Sequence, residues 1–365
     1  MSRRGSGLRG RERLAGLVFT TPMVVILGLF LVVPIAMAAW VSLLDWTPAD
    51  GDPFAGAGDY VGTDNYQALL LSDGLARQDF MISIRNTVYY VGFVVPLQTA
   101  LALLLAMVIN ERRLRGRGFF RTAFYFPSVT SSIAISMVFL FLFQGTGAVN
   151  ALLGWFGLDG PRWFTDARGV IHQLFGGLQL VETADPPGWL TGNDIVGLSL
   201  WDWLAGPSVA LTAVIALVVW TTAGTFMLMF IAALQDIPRE VEEAARIDGA
   251  GTWQKFRYVT LPQLRPVLIL VLTLGLIGTW QVFDQVYILG QGEPQKTTLT
   301  PAFLSFRQSF SNGEWGLGAA IAFVLFAIIL VLSGIQRFLL RDKDARAAQR
   351  RTRAARRADA KVPVA

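Results

Sequence analysis

Residues 243–262 read EAARIDGAGTWQKFRYVTLP, a charged stretch between two long apolar runs. Pro238 suits the first turn of a helix, where its missing N–H costs nothing. Glu240, Glu242 and Glu243 follow near the helix N-terminus, where the macrodipole favours negative charge. Val241, Ala244, Ala245 and Ile247 give a narrow face of mostly small side chains, which lets another surface approach closely. Gly249 stands where a left-handed residue ends a helix. A second short helical stretch then carries Trp253, Phe256 and Val259, and Leu261-Pro262 marks the turn into the next apolar run. The pattern predicts an amphipathic helix laid into a partner's groove. The alternative is a helix lying on lipid, but such helices are rich in Lys and Arg on the polar face, and this one begins acidic.

Outward from this segment the chain is apolar. It has 365 residues, 53% hydrophobic and only 16% charged, against about 25% charged in ordinary soluble domains. It has no cysteine, which excludes disulfides and thiolate metal sites. Its one histidine, His172, excludes His-rich metal sites and His-paired catalysis within the chain. A bilayer core of about 30 Å needs roughly 20 apolar helical residues. Six stretches qualify, near 14–44, 87–109, 124–143, 209–234, 267–289 and 317–339. The first is too long for a secretory signal's apolar run of about 7–15 residues, so it reads as a retained helix.

Lys and Arg set the orientation. Residues 1–13, the connections after the second and fourth spans, and the end from Arg337 onward hold 25 of the 31 basic residues. The positive-inside rule therefore predicts both termini in the cytoplasm. The basic tail 341–365 reads as an anchor near anionic lipid, not as a nucleic-acid arm. The outer loops differ in kind: 46–85 is rich in Asp, and 145–207 carries Trp155, Trp163, Trp189, Trp201 and Trp203. Glycines and Pro186-Pro187-Gly188 predict turns and short helices there rather than a separate domain, within a single membrane body spanning 14–340. Its tryptophans fit either an interfacial belt or a docking surface for an outside partner.

In the fifth span, Thr273, Trp280, Asp284 and Tyr287 fall within one helical stripe, with Gln281 beside it. Rings next to hydrogen-bonding groups suit a sugar, whose C–H faces take the ring and whose hydroxyls take the polar groups. Packing against another helix is the alternative for Trp280, and Tyr287 also fits the interfacial belt. Hydroxyls at Ser128, Thr130, Ser131, Ser132 and Ser136, and at Thr221, Thr222 and Thr225, are candidate pore or helix-contact groups.

The segment resembles the coupling loop, or EAA loop, of ATP-binding-cassette importer permeases. The matching residues are Glu243, Ala244 and Ala245, then Asp248, Gly249 and Ala250, then Phe256, Leu261 and Pro262. The resemblance covers roughly residues 17–340. Pro22, Pro34 and Ser42, then Asp64-Asn65-Tyr66, Phe80 and Asn86-Thr87, resemble carbohydrate permeases. Residues 282–287 resemble the larger, maltose-type member of the permease pair. Two departures lie on the outer side: Gly290-Gln291-Gly292-Glu293-Pro294 replaces the usual Gly-Gly-Gly-Pro, and 166–193 carries extra residues.

The resemblance implies an all-α membrane fold of six transmembrane helices, the type I importer permease fold with a cytoplasmic coupling helix at 236–262. It implies a bacterial cytoplasmic membrane location and alternating access for a di- or oligosaccharide. It also implies a second permease subunit, two ATPase subunits and an extracytoplasmic solute-binding protein. The chain itself has no phosphate-cradling Gly-x-x-x-x-Gly-Lys-Ser/Thr, so ATP falls to the partners and no cofactor of its own is expected. Leu332-Ser333-Gly334-Ile335-Gln336 echoes an ATPase signature but lies within an apolar span. Alternatives are a permease for glycerol-3-phosphate or another small polar solute, an ion-coupled carrier, and a membrane enzyme using outer carboxylates such as Asp159, Asp166, Glu182 and Asp185.

Overall fold

The computed structural model describes residues 5–111, 114–177, 186–192, 194–195 and 197–339. Helix dominates. The only strands among these residues are two antiparallel pairs of two residues each, Leu44–Asp45 with Asp59–Tyr60 and Asp194–Ile195 with Leu198–Ser199. Four helical runs are long and apolar enough to cross a membrane: Ala15–Val41, Leu75–Asn110, Val209–Gln235 and Trp315–Leu339. Two bent pairs bring the number to six where each pair is one span: Arg117–Val129 with Ser132–Leu142, and Thr252–Gln263 with Arg265–Trp280.

Three expected spans are corrected. The second was expected over 87–109, but its helix begins at Leu75 and runs 36 residues, roughly 54 Å at 1.5 Å per residue. Its first turns therefore lie beyond the apolar core, and they carry Arg77, Asp79 and Arg85. The third was expected to be continuous over 124–143, but it turns by 100°. Pro127 cannot donate to the helix ladder. Hydroxyls then bind main-chain carbonyls instead, Thr130 Oγ1 to Phe126 O at 2.9 Å and Ser128 Oγ to Thr221 O at 2.6 Å. Thr130 and Ser131 accordingly take extended ψ values of 145° and 131°.

The fifth was expected as one helix over 267–289. Its helix stops at Trp280, and a separate turn runs Asp284–Leu289. Thr279 Oγ1 binds back to Gly275 O at 2.8 Å and Leu276 O at 3.1 Å, which loosens the local ladder. The last backbone bonds shorten to an i→i+3 pattern, Gln281 N to Gly278 O and Val282 N to Thr279 O.

The chain divides into two compact units. One comprises Met1–Asn86, Thr165–Ala210 and Gly290–Leu325. Within it the Ser42 and Tyr66 hydroxyls meet at 2.7 Å, and the Asn65 amide donates to the carbonyls of Ser42 and Leu44. Buried Asn86 donates to Lys296 O at 2.8 Å and Leu299 O at 3.0 Å. The 145–207 stretch holds short helices, as expected, at Ala148–Trp155, Val170–Gly177, Gly188–Thr191 and Leu200–Leu204. Glu182 and Asp185 lie outside the described residues.

The other unit comprises Thr87–Phe164, Leu211–Leu289 and Phe326–Ala365. Its core sets small Ala102, Ala106 and Ala223 against large Phe226, Met227 and Phe230. A Cβ on Gly224 would stand 2.3 Å from Phe124 O, so only glycine permits that approach.

Candidate coupling segment and membrane cavity

The charged helix runs Arg239–Ile247. Pro238 precedes it at φ −60°, ψ 136°, so it caps the helix from outside and is not in the first turn as expected. The C-terminus closes as a Schellman motif: Ala250 N bonds Ala245 O at 3.0 Å, and Gly249 N bonds Arg246 O at 3.1 Å. Gly249 holds φ +75°, the left-handed value that sequence spacing anticipated. The predicted small-residue face is not one face. Ala245 is buried, whereas Ala244, Glu243 and Asp248 are exposed and Ile247 is 86% exposed. An offset of six residues from Val241 carries Ile247 round the cylinder to the open side.

After the turn, Gly251 N donates to the Gln254 side chain at 2.8 Å and starts Thr252–Lys255. The helix widens to a π-turn over Phe256–Thr260, continues through Leu261–Gln263, and bends 70° into Arg265–Trp280. Pro262 and Pro266 flank the bend, and Leu264 at its centre is fully buried. Trp253 stacks near Phe256 at 5.5 Å between centroids yet remains largely exposed, as does Tyr258. The result is a short rod with fixed ends, offering Glu243, Ile247 and Trp253 outward.

Higher in the same unit lies a cavity of about 260 Å³, a little below the ~300–1,000 Å³ of ordinary small-molecule sites. Amides of Gln98, Gln281 and Gln285, hydroxyls of Thr222 and Thr279, the Asp284 carboxylate and the rings of Tyr90, Phe226 and Phe283 line it. No Lys or Arg is among the lining residues. Thr222 Oγ1 lies 2.6 Å from Gln98 Oε1 and 2.7 Å from Val218 O. The other end of the Gln98 amide abuts Gly275, where a Cβ would stand 2.5 Å from Nε2. Gln285 Nε2 reaches Ser132 Oγ at 3.1 Å and ties Asp284–Leu289 to Ser132–Leu142.

Of the five expected pathway residues, Gln281 and Asp284 line the cavity. The single stripe is corrected, because the break at 281–283 puts Thr273 and Trp280 on one helix and Asp284 and Tyr287 on another. Thr273 Oγ1 bonds Ile269 O within its own helix, and Tyr287 stacks on Phe283 at 5.6 Å. Trp280 is buried, with Nε1 unpartnered among the described residues. Sequence reasoning missed Gln98, although a lone amide inside an apolar run is itself a signal. Among the outer carboxylates, Asp166 pairs with Arg168 at 2.6 Å, and that guanidinium holds its carboxyl below the usual range.

A bent-helix apolar fold with a charged rod at one end and a polar cavity within it is the architecture of a membrane transport component. The chain belongs to the family described as binding-protein-dependent transport system inner membrane component, which matches residues 98–344. It is 32% identical over 283 residues to the arabinooligosaccharides transport system permease protein AraP of Halalkalibacterium halodurans, covering 77% of this chain and 75% of that one. The lactose transport system permease protein LacF of Rhizobium radiobacter is 29% identical, with 93% and 98% covered. The trehalose/maltose transport system permease protein MalF of Thermococcus litoralis is 29% identical, with 89% and 93% covered. The fold matches a chain of a bacterial alginate ABC transporter, solved in complex with an alginate pentasaccharide-bound periplasmic protein. That match has a TM-score of 0.67 at 22% identity and covers 93% of this chain and 98% of that one.

Proposed function

We propose that this chain is a permease subunit of an ATP-driven importer that moves a di- or oligosaccharide into the cytoplasm. Its termini face the cytoplasm, in accord with the distribution of Lys and Arg. A second permease completes the pathway, two ATPase subunits drive it, and a solute-binding protein delivers cargo from outside. The exposed rod Arg239–Ile247, closed by Gly249, carries this reading. It is rigid enough to transmit force, and its outward residues lie free for a soluble subunit. ATP-driven closure of the ATPases pulls on the rod, and the spans rock between outward- and inward-facing states. Glu243, Asp248 and Phe256 belong to the contact surface, and Leu261-Pro262 carries the motion into the fifth span.

The cargo class rests on relatives named for arabinooligosaccharides, lactose and trehalose/maltose, and on the amide, hydroxyl and ring lining of the cavity. Gln281 and Asp284 contact hydroxyls as the cavity widens around the sugar, with Trp280 backing the joint. A lining without Lys or Arg disfavours a phosphorylated cargo. The test is co-purification of the ATPase subunits with the wild-type chain and with E243K/I247E. Loss of the ATPases from the variant, with ATP-driven sugar uptake by the wild-type assembly, supports the reading. Equal retention of the ATPases by both discards it.

A further inference from the structure

A second cavity, about 540 Å³, lies beneath the rod in the same unit. Its walls come from four places: the ends of Leu75–Asn110 and Val209–Gln235, the start of Arg117–Val129, and the coupling segment. Among the described lining residues, Arg117, Arg246 and Lys255 are the cations and Glu111 is the carboxylate. Thr252, Asn110 and Gln235 add neutral hydrogen-bonding groups.

Two observations bear on what this cluster would hold. Arg117 gives one guanidinium arm to the Glu111 carbonyl, while its Nε is buried without a hydrogen-bond partner among the described residues. A buried donor of that kind is costly unless an acceptor reaches it. The helix it opens also starts uncapped, with no acidic residue in its first turn, leaving positive potential at that end. Apolar Met107, Leu234, Ile237 and Phe256 also line it, and Leu104 and Val108 lie exposed on the helix that leads to it.

We infer that this cavity binds a phosphate group, held by Arg117, Arg246 and Lys255. Its source is either the headgroup of an anionic phospholipid or a free phosphate. Bound there, it joins the rod to the membrane bundle by charge and so stiffens the link between them. The inference is independent of the cargo and of transport itself.

The test titrates the purified, assembled protein in neutral detergent with phosphatidylglycerol, with phosphatidylcholine and with potassium phosphate. Unfolding midpoint and native mass spectrometry are the readouts. Phosphatidylglycerol is expected to raise the midpoint and remain as an adduct, and phosphatidylcholine to do neither. A response to potassium phosphate as well assigns the site to a soluble anion. Each cation removed in R117Q, R246Q or K255Q is expected to weaken binding about fivefold, at ~1 kcal/mol per charge. R117K keeps the charge but lacks the buried Nε donor; it is expected to bind more weakly than wild type and more tightly than R117Q, and an unfolding midpoint equal to wild type before lipid is added controls for folding. Equal responses in wild type and R246Q/K255Q, or equal effects of the two lipids, overturn the site.

Discussion

Asp79 and Lys296 form an ion pair of 2.5 Å across 217 positions of sequence. The second oxygen of the same carboxylate takes Arg307 at 3.0 Å. One carboxylate thus pairs with two cations in a partly enclosed site. Beside it, Gln291, Gln295 and Lys296 all hold positive φ without being glycine, a conformation maintained by surrounding bonds such as Asn86 to Lys296 O. D79N removes the charge and leaves the two cations facing each other. It is expected to lower stability by about 1–3 kcal/mol, discounted for the partial exposure of Lys296. An unchanged unfolding midpoint for D79N in detergent would show that the triad contributes nothing.

Gly249 has φ +75° and open space where a Cβ would stand. Substitution there meets no clash, so its effect is backbone strain alone, about 1–2 kcal/mol for most residues and less for Asn. G249L is expected to insert into the membrane normally but to lose uptake, because the rod's last turn is re-aimed. G249N should retain more activity than G249L. Normal transport by G249L discards the role assigned to this turn.

Gly275 lets the Gln98 amide lie flat against its helix. In G275A the added methyl displaces that amide and disrupts its contact with Thr222. Loss of one such hydrogen-bonding group should raise the KM for sugar uptake roughly 2–10-fold. Q98L should show a similar rise with normal membrane insertion. Kinetics indistinguishable from wild type in both variants remove Gln98 from the pathway.

His172 stacks on Trp201 at 3.9 Å, and burial pushes its pKa below the ordinary 6.5. The unfolded ring therefore binds protons more readily than the folded one. Its contribution to stability is full above the ordinary value and declines as pH falls from there toward the lowered folded value. Proteolysis of the 165–210 stretch should thus accelerate between about pH 7 and pH 5 in the wild type. H172F should flatten that dependence, and an equal acceleration in H172F assigns the effect to other groups.

The rod was readable because its signals are local. A proline before, acids at the start and a glycine after are all choices made by one helix for its own ends. The breaks at 130–131 and 281–283 were not readable from hydropathy, because a window of spanning length averages SVTSS at 128–132 and QVFDQ at 281–285 into the apolar residues on either side. Each break has a hydroxyl bonding back to its own turn, Thr130 to Phe126 beside Pro127 and Thr279 to Gly275. Period counting sees Thr279 only as a tolerable neighbour of Trp280. Asp79, Lys296 and Arg307 were countable as charges, but no spacing joins positions more than two hundred residues apart. Gln98 was missed although it is an amide in an apolar span, and its partner Thr222 lies on another helix.

The three-residue joint at Gln281–Phe283 has an evolutionary consequence. A continuous helix couples every side chain on it, so altering one direction disturbs the rest, including the greasy faces that keep the helix in lipid. A jointed one lets Asp284–Leu289 be re-aimed by small changes in the connector while Arg265–Trp280 stays seated. The connector is therefore where cargo preference can shift without unseating the span, so a library built to redirect this permease belongs at residues 281–283.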